Sequence, residues 1–149
     1  MKINCDIGER GISNKIDQQL MTLVDIANIA CGGHAGDQNS IDFFRRLALE
    51  NDVQVSAHLS YPDRENFGRV SMSLETEVLF QALDQQYSLI NDVKWIKFHG
   101  ALYNDLNVNK SLAKTIYAWL KKNKIEVLLC PQNSEIAKLC NAQASIQVM

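Results

Sequence analysis

The chain has 149 residues, a formal net charge of -2, 46% apolar residues and 21% charged ones. That is the length and composition of one globular domain able to bury a core. The small negative charge argues against a non-specific nucleic-acid or polyanion binder, and no apolar run approaches the roughly 18 residues that span a bilayer.

The N-terminal "MKINCDIGER" is charged early and lacks the apolar stretch of a signal peptide. The four cysteines, Cys5, Cys31, Cys130 and Cys140, are far apart and form no C-x-x-C pair. Free thiols and a cytoplasmic location are therefore expected.

Short apolar runs alternate with amphipathic stretches. "KINCDI" (2–7) reads as a strand, "DQQLMTLVDI" (17–26) as a short helix and "ANIAC" (27–31) as a strand. "NSIDFFRRLALEN" (39–51) places Ile41, Phe44, Leu47 and Ala48 on one helical face, with Asn39 or Ser40 available as N-cap. "VQVSAH" (53–58) is a strand, and "SLETEVLFQALDQQYSLI" (73–90) is the clearest helix. Ser73 lacks a glutamate three residues on, so Glu75 and Glu77 serve the helix dipole instead. The strand "VKWIKFH" (93–99) runs into a turn, followed by a helix over 110–123 that ends in Lys-Lys-Asn. A strand at 125–130, a short helix at 133–141 and a strand at 144–149 complete the chain.

Strand–helix alternation repeated about five times, plus a strand, predicts an α/β fold with a parallel sheet. Two architectures fit: an open doubly wound sheet or part of a β/α barrel. A complete barrel takes about 200–250 residues, so pattern and length favour the open sheet.

The chemistry collects at strand ends. The only histidines, His34, His58 and His99, fall at or just past the ends of the second, third and fourth predicted strands, and Asp6 and Glu9 at the end of the first. Active sites of parallel α/β folds form at that edge. One such histidine is more often a hydrogen-bonded structural residue; three together with two carboxylates make a candidate site.

The stretch "IACGGHAGD" (29–37) invites several chemistries. A phosphate loop fails because Asp37 stands where lysine is needed. The dinucleotide fingerprint fails because Cys31 replaces its first glycine. Cys31 as a nucleophile would need His34 to lower its pKa, whereas a small apolar strand end more often buries its cysteine. A metal could draw on His34, His58 and His99, alone or with Asp6, although no short metal-ligand spacing supports it. Lys97 shares a strand face with His99, and a strand lysine is costly to bury unpaired, which makes it a site candidate. Arg69, in the polar loop 58–70, can bind a carboxylate in two-point fashion or simply anchor the loop. Tyr103 and Asn104 are substrate contacts or parts of a turn.

Four segments, "NCDIGE" (4–9), "ANIACGGHAGD" (27–37), "AHLSYPDRENFGR" (57–69) and "KFHGALYN" (97–104), together resemble the successive signatures of the LamB/YcsF family, that of the A subunit of bacterial 5-oxoprolinase. Gly33 stands where that family commonly has a bulky aromatic, Phe98 where it has proline, and Leu59-Ser60 where it has Pro-Gly. The resemblance covers residues 1–149 as a single β/α domain lacking the C-terminal part of the family barrel. It implies a partial β/α barrel related to the glycoside hydrolase and deacetylase barrels. It also implies ring opening of 5-oxo-L-proline to L-glutamate with ATP hydrolysis, ATP being handled with partner B and C subunits. Within that reading Asp6 and His99 form the acid/base core, supported by Glu9, His34 and His58. Lys97 stabilises developing charge, and Asn28, Asp37, Arg69, Tyr103 and Asn104 contact the small-molecule substrate. Metal content stays open, and an assembly of copies of the chain is expected to cover open sheet edges. The alternatives are a metal-dependent amide or ester hydrolase of the deacetylase-barrel type and a truncated, non-catalytic binding or assembly protein.

Overall fold

A computed structural model describes residues 2–149. The elements run β1 (Asn4–Ile7), α1 (Lys15–Leu20), β2 (Ile26–Ala30), α2 (Gln38–Glu50), β3 (Gln54–Leu59), α3 (Thr76–Ser88), β4 (Trp95–Phe98), α4 (Gly100–Val108), α5 (Lys110–Lys122), β5 (Val127–Leu129), α6 (Glu135–Gln143) and β6 (Gln147–Val148). All strand pairs are parallel, and the sheet order is β1-β2-β3-β4-β5-β6.

That order bears out the partial β/α barrel that the resemblance implies, over the open doubly wound sheet that pattern alone favours. A doubly wound sheet reverses its strand order at a switch point. Here every crossover steps to the next strand in the same direction, and with the usual right-handed crossover the helices share one face and the sheet curls as part of a β/α barrel. β1 and β6 are its edges among the described residues.

The two faces differ in chemistry. The helix-packed face holds the main core, with Ile29, Phe44, Ala57, Leu83, Ile96, Trp119 and Leu128 buried. Buried Trp119 donates its indole N–H to Asp84 Oδ1 at 2.7 Å. On the other face a small separate cluster of Ile26, Val127 and Leu129 packs with Trp95 and Met149. The register aligns Asp6, Asn28 and Ser56 in one row of this face and Ala30, His58, Lys97 and Leu129 in the next. Leu129 of the apolar cluster thus sits level with His58 and Lys97, so polar groups from β1 to β4 and apolar ones from β5 lie side by side on this face.

Several element boundaries differ from the sequence pattern for local reasons. Helix α1 begins at Lys15 and ends at Leu20, because the Asn14 side chain caps it by accepting from the Ile16 N–H. The N-cap of α2 is Asp37, neither Asn39 nor Ser40: Asp37 Oδ1 accepts from the Ser40 N–H at 2.8 Å, and Ser40 Oγ accepts from the Asp37 N–H at 2.9 Å. Helix α4 occupies residues that the sequence pattern shows as a turn. Gly100, at φ +56, lets the chain leave β4 and enter a helix with only His99 between them. Gly33 is walled in by the Gln86 amide and the Ser60 hydroxyl, which occupy the space a side chain there would need. No helix among the described residues is long and apolar enough to cross a membrane.

Candidate active site

Six of the expected residues meet at the C-terminal rim. Asp6 lies on β1, His58 on β3 and Lys97 on β4; Glu9 follows β1, His34 follows β2, and His99 is the N-cap of α4. Glu9 Oε1 is 3.0 Å from His34 Nε2, 3.2 Å from His99 Nδ1 and 3.6 Å from His58 Nε2. His58 Nε2 lies 3.1 Å from His99 Nδ1 and 3.5 Å from Asp6 Oδ2. Lys97 Nζ donates to Asp6 Oδ1 at 2.6 Å. The expected Asp6–His99 couple is therefore bridged by His58.

Backbone and packing orient these groups. His58 Nδ1 donates to the Lys97 carbonyl and His99 Nε2 to the Phe67 carbonyl, each at 3.0 Å. The His34 and His99 rings stack at 3.6 Å between centroids, and Phe67 stands edge-on to both. Gly68 lies so close to His34 and His99 that a Cβ there would stand 3.0 Å from one and 3.2 Å from the other. Buried Asp17 accepts from the Gly8 N–H and pairs with Arg10, tying down both neighbours of Glu9.

Burial opposes ionisation of both carboxylates, but the neighbouring imidazoles and Lys97 outweigh it. Glu9 is held well below the carboxylate range by the three imidazoles. Asp6 is held likewise by His58 and Lys97. Burial, with help from the other two imidazoles, lowers His34 to about 4 against the pull of Glu9. His58 is fully buried, which disfavours its charged form, yet Asp6 and Glu9 raise its pKa.

The expected substrate contacts fare differently. Buried Asn28 donates its amide to Asn4 Oδ1 and Asp6 Oδ1, both at 2.9 Å, so it orients Asp6. Asp37 uses its carboxylate as the α2 cap while lining a cavity of about 550 Å³ with Glu9, His34, Arg64 and Phe67. Tyr103 is half-buried and lines a second cavity, of about 800 Å³, with Lys97, Asn4 and Cys130. Asn104 is exposed on α4. Arg69 is exposed, with its guanidinium over the Phe67 ring at 5.1 Å. Cys31 is not a nucleophile: it is fully buried, its thiol donates to the Ile29 carbonyl at 3.0 Å, and burial pushes its pKa up to about 12.

Sequence reasoning missed the positioning residues Phe67, Gly68, Asp17, Asn4 and Arg64. Arg64 clamps the glycine-rich turn by donating to the Gly32 and Gly36 carbonyls at 3.1 and 2.8 Å. The polar loop 58–70 marks the neighbourhood, but a backbone carbonyl such as that of Phe67 has no sequence signature. The donor-type atoms of Glu9, His34, His58 and His99 all lie within 4.8 Å of one another. Asp6, one of the carboxylates a metal could draw on, is bonded to Lys97 and lies outside that group.

A barrel-wound parallel sheet with imidazoles and carboxylates converging at its C-terminal rim makes this a partial β/α barrel with a candidate active site. The chain belongs to the LamB/YcsF family, whose model matches residues 1–149. It is 42% identical over 127 residues to the A subunit of 5-oxoprolinase from Histophilus somni (strain 129Pt), a match covering 80% of this chain and 50% of that protein. The chain thus spans about half the length of that curated relative. The crystal structure of the lactam utilization protein from Thermus thermophilus superposes with a TM-score of 0.83 at 25% identity, covering 100% of this chain and 64% of that one.

Proposed function

We propose that this chain acts as the A component of a 5-oxoprolinase, opening 5-oxo-L-proline to L-glutamate in a cytoplasmic assembly with B and C subunits. One observation carries the reading: Asp6, Glu9, Lys97 and the three histidines converge at one rim in a chain 42% identical to the A subunit of a 5-oxoprolinase. The four free thiols suit a reducing compartment.

The lactam is a poor electrophile, so its oxygen first takes the γ-phosphoryl group of ATP, releasing ADP. This is assigned to the partner subunits, because the glycine-rich turn here ends in a helix-capping aspartate and carries no phosphate-loop lysine. Water then adds to the activated ring carbon, the carbon–nitrogen bond breaks, and the nitrogen takes a proton. A second water releases phosphate from the resulting acyl phosphate to leave glutamate. Asp6, kept ionised by Lys97 and His58, receives the proton of the attacking water. Lys97, partly exposed to the larger cavity, donates to the ring nitrogen and steadies developing charge. His58 and His99 hold the water-side geometry, and Arg69 at the rim faces the substrate carboxylate.

The test combines the chain with B and C subunits, ATP and 5-oxo-L-proline and measures glutamate. Glutamate is expected only with all components present, and Asp6→Asn is expected to lower kcat by about 100-fold or more. Full turnover by a folded Asp6→Asn assembly refutes the assignment of Asp6. Glutamate formed without ATP instead favours a direct amide hydrolase.

A further inference from the structure

Counting protons at the rim exposes a deficit. The Lys97 and Phe67 carbonyls can only accept, so His58 Nδ1 and His99 Nε2 each carry the hydrogen they share with them. A neutral imidazole has no second hydrogen. With both rings neutral, His58 Nε2 and His99 Nδ1 therefore face each other as lone pairs at 3.1 Å, and both point at Glu9 Oε1. Three acceptors meet with no donor among them. The Lys97 charge is matched to Asp6 and that of Arg10 to Asp17, so no fixed cation among the described residues balances Glu9.

We propose that Glu9, His34, His58 and His99 bind one divalent first-row transition ion, zinc being the reference case. Zinc–nitrogen and zinc–oxygen bonds of about 2.0–2.2 Å in a tetrahedron set ligand atoms about 3.3–3.5 Å apart. The measured separations of 3.0, 3.1, 3.2 and 3.6 Å bracket that spacing, and the whole set lies within 4.8 Å. Two ligating rings already donate their far N–H to backbone carbonyls, the outer support that fixes tautomer and aim in imidazole metal sites. Glu9 and His34 line the 550 Å³ cavity, which gives the ion an entry path. Asp6 stays outside the set, its Oδ2 3.5 Å from His58 Nε2 and its Oδ1 bonded to Lys97. This inference stands on the donor set alone and not on the ring-opening reading.

The rival is a single extra proton shared between His58 and His99. The experiment titrates the chelator-treated full chain with zinc chloride by calorimetry and with cobalt chloride by visible absorption. One equivalent is expected to bind with a Kd below about 1 μM and no thiolate charge-transfer band, weakened by about 100-fold or more in Glu9→Gln and His99→Gln. The chain's only three histidines all lie in this cluster, so imidazole ligation reports this site alone. If the variants do not fold, nitrogen-15 NMR of the wild-type histidines decides. Zinc shifting the resonances of all three rings supports the site. An imidazolium signal at neutral pH that about 100 μM zinc leaves unchanged overturns it, as does a cobalt–thiolate band. None of these readouts uses ring-opening activity, so the two proposals fail independently.

Discussion

Gly100→Ala tests how the site is assembled, because Gly100 is where loop 61–70 and helix α4 touch. Its backbone sits at φ +56, where a non-glycine residue costs about 1 kcal/mol. An added Cβ would also overlap the Gly68 carbonyl oxygen and stand 3.0 Å from its carbon. Those are backbone atoms, so no side-chain rotation relieves the contact and the loop must move. Moving it stretches the Ala101 N–H bond to the Gly68 carbonyl, now 2.9 Å, and the His99 bond to the Phe67 carbonyl, now 3.0 Å. Each is worth about 1 kcal/mol. The expected loss is about 3 kcal/mol, or a Tm lower by roughly 6–12 °C for a domain of this size.

Gly11→Ala is the control. Gly11 has φ +79, but nothing lies within 4 Å of the added Cβ. It therefore isolates the backbone cost, about 1 kcal/mol. Urea unfolding followed by circular dichroism reads both variants against wild type. A Gly100→Ala loss within about 0.5 kcal/mol of the Gly11→Ala loss would show that the loop yields freely, refuting its role as a rigid holder of His99.

Iodoacetamide at pH 8 is expected to modify Cys5 and Cys130 in the native protein and to spare Cys31 and Cys140. Burial holds the latter two near 12, so only about one in 10⁴ is thiolate at that pH; intact and peptide mass spectra check this, and native labelling of Cys31 contradicts its burial. Asp37→Ala is expected to lose about 1 kcal/mol in urea, and Asp37→Ser to recover most of it as a substitute cap. A stable Asp37→Ser protein with KM for 5-oxo-L-proline raised tenfold would instead make the carboxylate a substrate contact. Trp119→Phe removes the bond to Asp84 Oδ1 while Lys122 still holds Asp84 Oδ2, so a loss of about 1–2 kcal/mol is expected in the same assay.

Much of the site is legible in the sequence because its logic is local. Strand ends show as the last residue of an alternating run, and the C-terminal rim of a parallel sheet is where functional side chains collect. Asp6, His58 and Lys97 follow from that rule, and Glu9, His34 and His99 from lying just beyond it. Fold class is equally local, but winding is not. An open sheet and a barrel share one alternation of strands and helices and differ in which strand neighbours which. Here the register of β1 through β6 decides it. The miss at α4 has the opposite character: Gly100 looks like a turn in sequence and is a turn, but one so tight that the next residues are already helical.

What stays illegible is the pairing of charges. Asp6 and Glu9 stand three positions apart, and nothing in "CDIGE" says which belongs to the lysine and which to the histidines. The fold decides through contacts distant in sequence. Lys97 reaches Asp6 from 91 positions away, while Asp17 grips the Gly8 N–H and Arg10 and turns the intervening Glu9 toward the imidazoles. The consequence is chemical. On the two readings proposed above, the carboxylate paired with an ammonium is the proton acceptor, whereas the one ringed by three imidazoles is the metal ligand. The two acidic residues, one on β1 and the other just beyond it, thereby face different partners brought to them by the sheet.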